Sequence, residues 1–528
     1  MSLIQYARSG IPQAMSLRSV PEQPPRIRSV SLPAPVKGWN TRDNLSDMKD
    51  DYAIILDNWF PLTDRLKLRR GHAEHATGIG SGAVESLLDY NGLTANKLFA
   101  VGNSAIYDVT SAGAVGAAAV SGLTNNRFQH VKIGTSGGQF LFACNGADTP
   151  QTYDGTSWAN TTLTGPTTAN LIWCNLHQRR LWVGEKNSLS AWYGAVNAIT
   201  GAFTEFPLYG IASRGGFIQA MGTWTRDGGD GMDDLAVFAT SEGEYIIYQG
   251  TDPSAAATWS LLGVFRLGKP IGRRCLTKAG SDLIVITEDG YVALSQVISL
   301  DRSQVQAKSL SDQINKTVNA NVRDYGSNFG WQPFIYPRGP MVIFNVPVTV
   351  NTEIQQHVFN AITGAPARFT GINANCFGSL NDEAYIGGID GTVYKFDSGV
   401  SDDSNNIVAD VKQAFSYFGS RGRKKRFTMA RPVFAATARP MPALDLNVDY
   451  ADIPPTSTPS FSSAGDGIWD TSLWDTGKWA SEEGNIWADW QGVAGVGHCA
   501  ALRVRVTTNA YQVALMATDF IFEEGGMV

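Results

Sequence analysis

Short apolar runs alternate with polar residues along most of this chain, and turns containing glycine or asparagine separate them. The stretch EAYIGGIDGTVYKFDSG (383–399) climbs to Asp390-Gly391 and returns through Val393, Tyr394 and Phe396. The same hairpin is written at 98–109, 140–158, 180–194, 235–250 and 283–295, with a weaker copy in 341–364. Pairs such as Asn145-Gly146, Glu242-Gly243 and Asp289-Gly290 reach the left-handed backbone that tight hairpins need. Alternation such as Leu283, Val285, Tyr291 and Ala293 gives each strand one buried face. The turns recur at steps near ~40–50 residues, the length of a four-stranded propeller blade. One blade cannot bury its own faces, so the unit repeats until a ring closes. The pattern predicts an all-β chain built on a β-propeller of six or seven blades.

Departures from the hairpin pattern divide the chain. Residues 1–36 hold Pro12, Pro21, Pro24, Pro25, Pro33 and Pro35 among Arg8, Arg18, Arg26 and Arg28. Proline removes donors and disfavours helix, so an extended N-terminal arm is expected, either a free tail or a clip that orders against a neighbouring subunit. Residues 37–403 are expected to be the propeller. Within them, Met48, Tyr52, Leu56 and Trp59 fall at helical spacing and predict a short helix over 47–61. Leu310, Ile314, Val318 and Val322 predict a helical insertion near 309–325. The polar break SDDSNN (401–406) precedes alternating runs at 406–418, 426–438, 443–451, 501–508 and 511–523. These predict a C-terminal antiparallel β domain over 404–528 that carries a Trp-rich segment.

Charge and cysteine usage narrow the function. With 42 Lys and Arg against 48 Asp and Glu, the chain carries −6 and is not, as a whole, a basic nucleic-acid binder. Five dispersed cysteines without CxxC or Cys/His spacing predict free thiols in a protein made in a reducing cytoplasm. No apolar run approaches the ~20 residues of a membrane helix, and no signal-peptide core is visible.

The search for catalytic chemistry is negative. His72 and His75 form an HxxH with no third ligand at suitable spacing, which reads as a solvated turn. TGIGSGA (77–83) lacks the βαβ context of a dinucleotide loop. TRDGGDGMDD (225–234) misses the EF-hand spacing, and YDGTSW (153–158) does not match the residue order of a sialidase Asp-box. No catalytic, cofactor-binding or metal-binding residue is assigned, and no cofactor is expected.

Two other features stand out. The basic run Arg421, Arg423, Lys424, Lys425 and Arg426 sits at a turn between strands. It reads as a solvated tip, or as a contact for DNA phosphates or an acidic subunit. Trp469, Trp474, Trp479, Trp487 and Trp490 could stack sugars; the Asp and Gly turns among them favour an aromatic clasp between domains or subunits.

The segment GWNTRDNLSDMKDDYAIILDNWFPLTDRLKLRRG (38–71) resembles the opening of tail-hub, or tail-nozzle, proteins of short-tailed bacteriophages, also called packaged-DNA stabilisation proteins. Gly38, Thr41, Met48, Ala53, Asn58, Pro61, Arg70 and Gly71 carry the likeness, which is diffuse over the hairpins and absent from the Trp-rich segment. The resemblance implies a structural, non-enzymatic virion protein of the tail. It implies a homo-oligomeric ring, typically six subunits, below the portal, retaining packaged double-stranded DNA and conducting it at ejection. The implied partners are portal or adaptor protein and tail-fibre or tail-tip proteins. A mildly acidic wall suits a conduit through which DNA must slide. The alternative is a phage receptor- or sugar-binding propeller, an adhesin. It would use an exposed aromatic groove; a glycan-cleaving propeller would need a carboxylate pair.

Overall fold

The computed structural model describes residues 27–227, 232–298, 304–305, 308–456, 460–461 and 485–527. Among them the hairpin repeat becomes seven blades. Four are separate four-stranded antiparallel sheets, within 86–121, 129–160, 171–207 and 218–266. The fifth, 276–293, has three strands; the sixth, 332–369, opens a larger sheet. The seventh pairs Cys376–Leu380, Glu383–Gly387 and Val393–Phe396, and takes its fourth strand, His72–Thr77, from the other end of the propeller sequence. Phe396 lies opposite His72 and Val393 opposite Ala76, so the ring is latched by strand pairing. The inner strands lie side by side around the axis, and the seventh returns to the first.

A separate apolar cluster fills each gap between blades. Phe99, Phe128 and Leu141 close the first and second blades, and Phe142 and Leu181 the second and third. Trp182 packs with Phe238, Val237 with Val285, and Ile343 with Phe377 at later gaps. Tyr291 stacks on Phe344 at 3.8 Å between the fifth and sixth. Each such side chain contributes roughly 1.5–3 kcal/mol by leaving water.

The sixth blade does not end at its outer strand. Pro366–Phe369 is followed edge to edge by Ala53–Asp57, Ile407–Gln413, Ala500–Thr508 and Ala443–Val448, making one eight-stranded sheet. A second sheet faces that extension, built on the long strands Arg423–Ala436 and Val513–Met527. Val411 and Val504 from one layer and Phe427, Phe434, Leu515 and Phe520 from the other form its core. The antiparallel C-terminal strands are therefore a sandwich continuous with the propeller.

The N-terminal expectations change here. Ile27–Pro33, placed in the extended arm, pairs along Ala517–Glu523 of its own chain, because the long C-terminal strand offers a free edge. Residues 1–26 lie outside the described residues. The helix expected over 47–61 is a turn followed by the strands Ala53–Asp57 and Trp59–Pro61. Met48, Leu56 and Trp59 are buried as the periodicity requires, with Tyr52 half-buried, but Leu56 and Trp59 are covered by strands on both sides. Asn58 takes φ of 62°, which a helix cannot use. Strands at 27–68 thus belong to the sandwich or its seam, and the propeller sequence starts at His72, not at residue 37.

The helical insertion forms as Asn315–Tyr325 after a short 3₁₀ turn, with Ile314 and Val318 buried. It clamps the entry segment. Gln313 Nε2 donates to the carbonyls of Lys37 and Trp39, each at 2.8 Å, and Lys316 Nζ to that of Arg42. Beneath it, His357 is enclosed by Tyr291, whose hydroxyl is 2.8 Å from Nδ1, by Asn321 and by the edge of Trp39. Burial, with a smaller push from Arg368, lowers its pKa from 6.5 to about 3. Burial likewise takes His177 to about 4.

Both histidines are neutral in the fold, whereas the unfolded chain gains protons below about pH 6.5. Their stabilisation is complete above that pH and declines as pH falls toward their folded values. The urea midpoint should therefore drop steadily from pH 7 to pH 4.5, and less steeply in His357→Gln. A midpoint flat over that range would contradict this packing.

Candidate functional site

The seven inner strands enclose an axial channel with a cavity of ≈ 320 Å³. At the end where these strands begin, the channel is plugged by side chains from opposite blades. Arg274 precedes the fifth blade, and its Nη2 reaches across to the Glu85 carbonyl (2.9 Å), Ser86 Oγ (2.6 Å) and the Phe128 carbonyl (3.1 Å). Arg127 and Arg274 both lie over the Phe329 ring, at 4.4 and 5.0 Å, and Arg127 pairs with Glu85 at 3.3 Å. Arg273 Nη1 donates to the Asn145 carbonyl at 3.3 Å. Midway along, Asp89 accepts from Lys132 Nζ (2.6 Å) and lies 2.7 Å from His130 Nε2. Burial raises its pKa, but the hydrogen bonds and charge of His130 and Lys132 outweigh burial and hold the carboxyl well below its usual range. At the other end a contiguous cavity of ≈ 460 Å³ is lined by Arg179, Asp234 and Lys278.

The basic run proves heterogeneous. Arg421 pairs with Asp47 at 3.1 Å and stacks over Tyr417. Arg423 pairs with Glu524 at 3.4 Å, and Arg426 with Glu523 at 3.7 Å. Lys425 is fully buried. Its Nζ donates to the carbonyls of Ser420 (2.5 Å), Arg423 (3.1 Å) and His498 (2.9 Å), and burial lowers its pKa. Lys424 alone is exposed without a charge partner among the described residues. The run looks uniform in sequence, yet strand alternation turns Lys425 inward and its neighbours outward.

Of the tryptophans, Trp469, Trp474 and Trp479 lie outside the described residues. Trp487 donates through Nε1 to the Ala436 carbonyl, and Arg431 covers Trp490 at 4.6 Å. Both are half-buried against the strand Arg423–Ala436. His72 and His75 diverge: His72 Nδ1 is 3.1 Å from Asp402 Oδ1, and His75 Nε2 is 2.9 Å from the Val109 carbonyl. The plug of Arg273, Arg274 and Phe329 has no sequence motif; only adjacent arginines just ahead of an inner strand hint at it. All five cysteines are free. Among the described residues, no group of three or more acidic, His or Cys side chains could hold a metal, and no helix is long and apolar enough to cross a membrane.

Adjacent lysines give a direct test. Lys425→Ala leaves three carbonyls without a donor and should cost about 2–4 kcal/mol, whereas Lys424→Ala should stay within about 0.5 kcal/mol of wild type. Chemical denaturation of both variants measures this; equal effects would contradict the buried assignment.

The chain matches no protein-family model and no curated protein. Among solved structures it is similar to BBS1N in its complex with ARL6DN, at 10% identity over 62% of this chain and 97% of that one, TM-score 0.40. It is similar to the Cps50 (Swd1) β-propeller domain of Myceliophteria thermophila, at 12% identity over 64% and 100%, TM-score 0.36. It is also similar to exo-β-1,3-galactanase from Phanerochaete chrysosporium, at 10% identity over 74% and 95%, TM-score 0.28. At these scores the likenesses carry no functional argument. The propeller rests on the chain's own strand pairing: this is an all-β propeller protein with a fused sandwich.

Proposed function

We propose that the chain is a structural subunit of the tail hub of a short-tailed bacteriophage, one copy of a closed ring, typically six, below the portal and around the exiting DNA. The observation that carries this reading is the place of the segment resembling that family. Residues 38–71 form the seam between propeller and sandwich. Trp39 N donates to the Pro366 carbonyl, Ala53 and Leu56 are buried in the shared core, and Gly71 abuts Ser401. The likeness thus falls on the framework that joins propeller and sandwich, the part of the chain that fixes the shape of a ring subunit.

Charge supports the same reading. Five free cations on the basic turn would give about thirty in a ring of six, enough to grip phosphate strongly and salt-dependently. With three arginines in intrachain ion pairs and Lys425 buried, the turn offers roughly one unpaired cation per subunit. Such a surface lets DNA slide. In this reading the DNA passes through the ring of subunits, since the propeller's own axis is plugged and far too narrow for a duplex. The protein takes no catalytic part, and its place is the virion tail.

Purified protein mixed with the portal of the same virus should assemble into closed rings on native mass spectrometry, with a stoichiometry matching a hexameric hub. A chain that stays monomeric with portal present, or that trimerises at a fibre tip, would favour the adhesin reading instead.

A further inference from the structure

The axial channel holds a concentration of positive charge that its interblade hydrogen bonds use only in part. Arg273, Arg274, Arg179 and Lys278 line its two contiguous cavities, against Asp89 and Asp234. Asp89 is already matched by Lys132 and lies beside His130. Asp234 accepts from Thr225 Oγ1 at 2.7 Å, and Lys278 Nζ donates to the same hydroxyl at 2.7 Å. Among the described residues neither Arg273 nor Arg274 forms an ion pair within 4 Å; the Glu85 carboxylate, paired with Arg127, attracts Arg274 from farther away, and both guanidinium pKa values are lowered, chiefly by burial. In a chain of net charge −6 this sign reversal is local. Two polar atoms on the lining side chains also lack partners: Arg274 Nη1 and Gln129 Nε2 are buried donors without a hydrogen bond.

Structural duty accounts for only part of this set. Arg274 Nη2 bridges the first and second blades, and Arg127 and Arg274 cover Phe329. Arg273 makes one long bond to a carbonyl, and its remaining donors need acceptors. A half-buried guanidinium with donors left open, and one whose buried Nη1 is unsatisfied, are completed best by an anion. The volumes, ≈ 320 and ≈ 460 Å³, fall where small-molecule sites begin. The plug closes one end, while the exposed Lys278 and Arg179 mark the other as the mouth.

The geometry points to a binding site for a small multivalent anion, a polyphosphate or a polycarboxylate, that enters past Lys278 and Arg179 and seats against Arg273. Isothermal titration of the full chain with pyrophosphate and, separately, with citrate tests this at fixed ionic strength. One saturable site per chain is expected for at least one of them, and the pair separates a phosphate from a carboxylate preference. Arg273→Gln and Lys278→Gln should each weaken binding at least tenfold, with circular dichroism unchanged. Arg421→Gln, on the surface turn, should leave it unaltered. Lys278 is exposed, so its variant serves even if substitution at Arg273 disturbs the plug. Absence of saturable heat with both anions, or full affinity in both channel variants, would overturn the site.

Discussion

The structure depends on one buried polar knot at the seam between propeller and sandwich. Asn58 sits in left-handed backbone and donates through Nδ2 to the Val408 carbonyl at 2.7 Å and to Thr370 Oγ1 at 3.1 Å. Its Oδ1 accepts from Arg69 Nε and from the Thr370 amide. Arg69 then forks onto Asp402 at 2.7 and 2.6 Å. Burial raises the Asp402 pKa, but hydrogen bonds from Arg69 and His72 prevail and keep it ionised. Asn58, Arg69 and Asp402 hydrogen-bond one another or nearby backbone, the condition under which a buried network specifies one arrangement rather than weakening the core. Around it the chain has little room to move. A Cβ on Gly71 would overlap the Ser401 carbonyl, and Gly38, at φ of 85°, presses on the Pro366 backbone. Beside the knot, Arg368 grips Asp57 through two bonds of 2.7 Å where the sixth blade passes into the sandwich.

From that seam the architecture follows. The N-terminal strands cross between two bodies before the propeller begins, so its first strand arrives already positioned to latch the seventh blade. The latch leaves the ring without a free end. The propeller and the sandwich share a continuous sheet and one apolar core, in which Trp59, Tyr291, Phe344 and Leu502 all take part. A shared sheet and a shared core leave no hinge between the two bodies.

The sequence made the repeat legible because hairpin turns have strict backbone needs: asparagine, aspartate and glycine at fixed offsets marked nearly every blade. Long-range pairing was not legible. Leu56 and Trp59 carry a helical spacing, yet strands on both flanks bury them, and local periodicity cannot register partners several hundred residues away. The C-terminal edge that captures Ile27–Pro33 was hidden for the same reason. In the basic run, composition showed five cations but not that alternation would send Lys425 inward, nor that Asp47, Glu523 and Glu524 would meet the others. Arg273 and Arg274 passed unnoticed because their partners are carbonyls of distant blades, which leave no motif.

Differential scanning calorimetry tests most directly whether propeller and sandwich form one body. A welded pair should unfold in a single transition whose calorimetric and van't Hoff enthalpies agree. Arg69→Ala, which strips Asp402 of its forked partner, should shift that transition down and separate it into two. Two resolved transitions in the wild-type protein, with the lower one assigned to the sandwich alone, would contradict the account.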